Sequence, residues 1–335
     1  MAYVAGDKIL DDVYNSFVTS TSAPYGINHI YGVGDGAYGL GQAGTIGTVG
    51  VGDTITATQW NSLFSIMDTV ASHTNTSVTS TTARTAGDPI AVKAALGANL
   101  ASLASSVAGG SVNASTGVTA GTTDVTNTAS QVYDQTHVSE CSFTFAGGDE
   151  ARWFFNAGGR LRVVITNTAT GSTPKDSLIQ GLIDQTGNFD LRAQNSTITG
   201  TPVDSTTGSD LTIGYYDLTT TYQTIHQLTE STSTYSATYD GQISLKIEAK
   251  TSAAHADGRN NNGEVVTIRV TCDVDDGVYT DYTPGNISGI PQEQESAGPT
   301  NHLFSTVDPN TTYLTTAYDS VSVASVSNTT TDSGT

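Results

Sequence analysis

The chain has 335 residues, of which 13% are charged and 36% hydrophobic, and its 12 Lys and Arg against 32 Asp and Glu leave a formal net charge of −20. That balance argues against a nucleic-acid phosphate backbone or an anionic membrane surface as partner, because both need clustered basic side chains. The remainder is mainly Thr, Ser, Gly, Asn and Ala. This is too little charge for a disordered acidic tail and too little Leu for a helical enzyme core, and it suits β-structure with many turns.

Residues 1–80 read as a helical N-terminal module. After Gly6-Asp7, the side chains Ile9, Leu10, Val13, Tyr14, Phe17 and Val18 fall mostly on one face of a short helix. Residues 25–52 hold too many glycines for a helix and are expected as ordered loop. A second helix is the most sharply marked element. Thr56 is its N-cap, Gln59 completes a capping box, and Ile55 is placed to staple against Trp60. Trp60, Leu63, Phe64, Met67, Val70 and Ala71 then recur at helical spacing, a stripe that suits either core packing or contact with a partner.

Residues 81–137 read as a helix followed by a Thr/Ser/Gly linker. Asp88 caps the helix, Pro89 takes its first position, and Gly109-Gly110 stops it after about Val107. Val92, Leu96, Leu100, Leu103 and Val107 are spaced 4, 4, 3 and 4, and the last four follow an a/d pattern. The run is too short for a coiled coil by itself. It would pack on the body or join copies as a short oligomerisation helix. Residues 111–136 show no period and are expected as a linker, extended or draped over another subunit.

Residues 138–283 read as a β-body. Cys141, Phe143 and Phe145 alternate. The segment 149–166 looks central: Trp153, Phe154 and Phe155 form the densest aromatic run, residues 156–159 break it, and Leu161, Val163 and Ile165 alternate after it. This predicts a β-hairpin with one buried face. Thr173-Pro174 starts a short helix over residues 175–184. Residues 211–218 and 223–228 are strand candidates. Ile243, Leu245, Ile247 and Ala249, and then Val266, Ile268, Val270 and Cys272, mark two neighbouring antiparallel strands. The fold class expected is mainly β, an antiparallel β-sandwich body with one short helix and a small helical N-terminal module. Residues 284–335 read as an extended C-terminal segment with one or two strands around Tyr313, Leu314, Tyr318 and Val321, and with its last dozen residues mobile in isolation.

No catalytic, cofactor-binding or metal residue is assigned, and no enzyme is expected. Asp257, Asn260 and Asn262, with Asp273, Asp275 and Asp276 nearby, offer oxygen atoms to Ca²⁺ but lack the EF-hand spacing, so an ordinary hairpin loop is favoured. The six histidines are dispersed, with no pair at helix-ligand spacing for zinc. Cys141 and Cys272 read as buried thiols in strands in preference to a disulfide. No nucleophile elbow, phosphate loop or dinucleotide fingerprint occurs. Asp149 and Glu150 would point to opposite faces of a strand and cannot flank a glycosidic bond. Tyr215, Tyr216 and Tyr222 suit either sugar stacking or packing. Arg152, Arg160 and Arg162, the tightest basic group, read as a solvated hairpin face. No run reaches transmembrane length and no signal peptide opens the chain, so no membrane insertion is expected.

Three segments carry a resemblance: MAYVAGDKILDDVYNSFV at 1–18, DTITATQWNSLFSIMDTVASHT at 53–74 and ARWFFNAGGRLRV at 151–163. Together they resemble a family of virion structural, tail-fibre-like proteins of tailed bacteriophages of marine bacteria and cyanobacteria. The resemblance covers roughly residues 1–75 and 138–275. It implies a non-enzymatic, multi-copy tail, baseplate or fibre component, assembled in the host cytoplasm and located in the virion. Its partners would be other virion proteins, further copies of itself as a homotrimer, and a host cell-surface glycan. Under this reading the N-terminal module docks to the particle through Trp60, Phe64 and Met67, while Leu96, Leu100 and Leu103 join copies. A host receptor-binding adhesin, a neck or capsid decoration protein and, more remotely, a polysaccharide depolymerase are the alternatives.

Overall fold

The computed structural model describes residues 10–88, 93–168, 174–202, 208–230, 243–253, 263–274, 297–315 and 321–332. Four helices open the described chain: α1 (Asp11–Thr19), α2 (Ile27–Tyr31), α3 (Ala57–Thr74) and α4 (Lys93–Ala108). The expected capping box forms at α3. Gln59 N donates to Thr56 Oγ1 at 3.3 Å, and Thr56 N donates to Gln59 Oε1 at 2.8 Å. These bonds satisfy backbone donors that a helix start otherwise leaves orphaned. Asn75, at φ 56°, closes the other end in the left-handed region.

The strands are β1 (Val118–Thr128), β2 (Thr136–Thr144), β3 (Arg160–Asn167), β4 (Asn188–Leu191), β5 (Ser196–Ile198), β6 (Gln223–Thr229), β7 (Ser244–Thr251), β8 (Val265–Asp273), β9 (Thr300–Pro309) and β10 (Ser322–Thr331). They form two five-stranded antiparallel sheets, β1-β9-β3-β4-β5 and β10-β2-β8-β7-β6. The fold is mainly β, and its body is a sandwich. Leu161, Val163 and Ile165 of β3 and Phe304 of β9 lie inside, facing Cys141 and Phe143 of β2, Val266, Ile268 and Val270 of β8, and Leu245 and Ile247 of β7. Helix α6 (Pro174–Thr186) packs Leu178, Ile179, Leu182 and Ile183 between β3 of one sheet and β6 and β7 of the other. The pairing expected between residues 243–249 and 266–272 is the β7–β8 ladder, with Leu245 opposite Cys272.

Four expectations are corrected. The aromatic run 153–155 is helical: α5 (Gly148–Asn156) precedes β3, so the motif is helix-turn-strand and not a hairpin. Asp149 and Glu150 lie in its first turn, where the helix dipole favours carboxylates, and Ala151, Phe154 and Phe155 share its buried face. The body therefore holds a second helix beyond α6. The linker expected at 111–136 contains β1, paired with β9 from Val118↔Pro309 to Thr128↔Asn301. The terminal dozen residues expected as mobile contain most of β10, paired with β2. Residues 211–218 form a turn and a 3₁₀ segment at Tyr215–Asp217 in place of a strand. Ile9, Pro89, Val92, Thr173 and Tyr318 lie outside the described residues, as do the Ca²⁺ candidates Asp257, Asn260, Asn262, Asp275 and Asp276.

Candidate functional site

The six side chains assigned to docking and self-association, Trp60, Phe64, Met67, Leu96, Leu100 and Leu103, are all buried in their own chain. Trp60 meets Tyr14 edge-on at 5.3 Å between ring centroids and lies tilted against Phe17 and Phe64. Helix α4 packs against α1, α2 and α3. Each amphipathic helix has one apolar face, and α3 and α4 use theirs inside the module. In this fold those side chains are core residues and present no surface to a partner.

The module is fastened to the body by α5. Arg152, 2% exposed, lies against the glycine-rich loop 33–39. Its Nη1 donates to Tyr38 O at 2.6 Å and Gly36 O at 3.2 Å, and its Nη2 donates to Val33 O at 2.8 Å and Gly34 O at 3.4 Å. Asp149 carries the opposite charge at 3.2 Å. Trp153 Nε1 donates to Val33 O at 2.8 Å, and Asn156 Nδ2 to Gly39 O at 3.0 Å. The Tyr216 hydroxyl donates to Asn156 Oδ1 at 2.6 Å and orients that amide. Gly34 and Gly36, both near φ +50°, give the loop a backbone that side chains rarely adopt, and it turns its carbonyls onto the guanidinium. Behind α5, His73 Nε2 meets Ala157 O at 3.0 Å and Gln194 Nε2 donates to Ala108 O at 2.8 Å. Gly158, at φ +85°, packs so tightly on Val112 that a Cβ there would collide with its Cγ1. Helix α3 links two of these contacts, with Trp60 near its start against Tyr14 of α1 and His73 near its end against Ala157.

A polar layer lies between the sheets. His137 and His302 stack at 4.1 Å between ring centroids. His137 Nδ1 lies 2.7 Å from Thr300 Oγ1 and its Nε2 2.8 Å from Asn328 Oδ1. His302 Nδ1 lies 2.6 Å from Ser139 Oγ and its Nε2 3.3 Å from Cys272 Sγ. Serine, imidazole and thiol at these distances resemble a nucleophile with its base, but Ser139, His302 and Cys272 are completely buried. Burial pushes the Cys272 thiol up to about 12, and burial followed by the charge of His137 holds the His302 imidazole well below its ordinary value. The layer satisfies buried polar groups. Among the described residues no group of three His, Cys, Asp or Glu is placed to hold a metal ion. Both cysteines are free and buried.

Burial also lowers His73, His137 and His226, the last to about 4. The unfolded chain therefore takes up protons first as the solution is acidified. Stability is expected to be full above about pH 6.5 and to fall between there and about pH 4, with His226 alone accounting for about 3 kcal/mol. Urea midpoints at pH 7.5, 5.5 and 4.5 check this. His226→Gln should make the decline shallower, and an unchanged slope in that variant would contradict the assignment.

The tyrosines considered for sugar stacking are occupied. Tyr215 stacks on Phe155 at 4.2 Å, Tyr216 serves the joint, and the Arg269 guanidinium lies 3.7 Å from the Tyr222 ring centroid. The expected basic group divides: Arg152 goes to the joint, while Arg160 and Arg162 pair with Asp190. The open surface is at the sheet edges. Among the described strands β10 pairs only with β2, and the sequence SVASVSNTTT holds no charged residue and no proline. Most of its side chains are exposed, and a bulge at Val326, 56% exposed, is the device that bends this edge. Edge strand β1 runs beside it, with Asn328 Nδ2 donating to Thr128 O at 2.8 Å and Ser130 N to Thr330 Oγ1 at 3.0 Å. No helix among the described residues is long and apolar enough to cross a membrane. Comparisons with protein-family models, with curated proteins and with solved structures found no match to this chain.

Proposed function

We propose that this chain is a non-enzymatic structural component of a tailed-bacteriophage virion, present in several copies in the tail, baseplate or a fibre. The observation that carries the reading is that α3 links the three resembling segments, far apart in sequence: Trp60 near its start packs against Tyr14, and His73 near its end meets Ala157. Segments that share one structural task are expected to vary together as a unit. The resemblance then concerns the architecture of the joint and not three unrelated phrases. Because Trp60, Phe64 and Met67 are buried, attachment to the particle runs through sheet edges and loops and not through those side chains.

The test is quantitative mass spectrometry of purified phage particles whose genome encodes the chain. The proposal predicts the intact chain at several copies per particle, in fixed ratio to the other tail proteins. Its absence from particles, with abundance in the infected-cell lysate, would overturn the reading.

A further inference from the structure

The outer face of the first sheet gathers three of the chain's 12 basic side chains. Arg160 and Arg162 take successive outward positions on β3, and Asp190 of β4 stands directly opposite Arg162. Its carboxylate accepts bonds from Arg162 at 2.7 and 2.9 Å and from Arg160 at 3.3 Å. Leu161 opposite Leu191 is the last pair of this ladder, and Arg192 follows Leu191 directly. Arg192 makes no ion pair among the described residues, and its Nε is buried without a hydrogen-bond partner.

Among the described residues the cluster thus holds three guanidiniums and one ion-paired carboxylate, an excess of two positive charges in a chain whose net charge is −20. Like charges held close together repel, and partial burial strengthens the repulsion. Consistent with this, burial first and then Arg160 push the Arg192 guanidinium down from its ordinary value. Asp124 of β1, aligned through Ser305 with Arg162, forms no ion pair with the cluster. The side chains of Arg160 and Arg162 keep 18% and 29% of their surface exposed, so a small ion reaches them from solvent. Guanidinium forks match oxyanions, and an excess of two positive charges favours a dianion over a carboxylate.

We propose that Arg160, Arg162 and Arg192 form a binding site for a dianionic oxyanion, a phosphate or sulfate group. The test is calorimetric titration of the full chain at pH 7.5 and constant ionic strength with inorganic phosphate, sulfate, methyl phosphate and acetate. Phosphate and sulfate should bind saturably at one site, with acetate at least tenfold weaker. Methyl phosphate as tight as phosphate assigns a phosphoryl substituent on a larger partner, and much weaker methyl phosphate assigns the free ion; each keeps the site. Arg192→Gln should weaken phosphate at least tenfold while circular dichroism stays that of the parent, and Arg160→Gln serves if the first variant does not fold. Absence of saturable phosphate binding, equal affinity in both variants, or acetate as tight as phosphate would overturn the proposal.

Discussion

Arg152→Ala is expected to destabilise the isolated protein by about 3–5 kcal/mol, a large share of what a domain has to lose. The guanidinium is 2% exposed and donates to four carbonyls of loop 33–39. Truncation removes all four bonds and a large buried side chain; Val33 O, Gly36 O and Tyr38 O keep donors from Trp153, Asn156 and Tyr216, while Gly34 O loses its side-chain donor. Each unsatisfied buried carbonyl costs more than a typical hydrogen bond gains. Arg152→Lys should recover only part of the loss, because a single ammonium cannot span acceptors that the two guanidinium nitrogens reach separately. Denaturant unfolding followed by circular dichroism checks both variants. The joint also predicts where the damage lies: hydrogen exchange should rise first in loop 33–39 and α2. A loss under about 1 kcal/mol would mean that the module does not depend on α5.

Trp60→Ala should cost about 3–5 kcal/mol in the same measurement, the usual range for removing a large aromatic from a close-packed core. Trp60 is 3% exposed and touches Tyr14, Phe17 and Phe64. The outcome separates two accounts of the stripe. As a docking surface, Trp60 would be dispensable to the isolated chain and needed only in the particle. As a core residue it weakens the isolated chain, and any failure to enter particles follows from that. Unchanged stability of the purified variant would restore the docking account.

Elements whose local signal and tertiary role agree were legible. The capping box and 3.6-residue stripe of α3, and the alternation of β7 and β8, each reflect one buried face. Where they disagree, sequence reading failed for identifiable reasons. The run 153–155 has strand propensity, but the acidic first turn and the spacing of Ala151, Phe154 and Phe155 mark a helix, and its polar members Arg152 and Asn156 are spent on the joint. β9 lacks an apolar stripe because its inward positions include Thr300 and His302, which serve the polar layer, and the buried Thr306. β1 and β10 are edges with much of both faces exposed, so nothing forces their residues to alternate. The joint was legible only as a conspicuous phrase. The partners of Arg152 are backbone carbonyls, which leave no side-chain signature beyond the glycines that shape loop 33–39. The cluster around Asp190 needed the β3–β4 register, since Arg192 lies 30 residues beyond Arg162 in sequence.

The central claim, that this chain is a structural part of a phage tail, is tested most directly by immunogold electron microscopy of purified particles with antibody raised against the folded protein. The account predicts label concentrated at the tail, baseplate or fibres, in more than one position per particle. Label over the capsid or at the neck, or particles that stay unlabelled when opened tails are also probed, would contradict it.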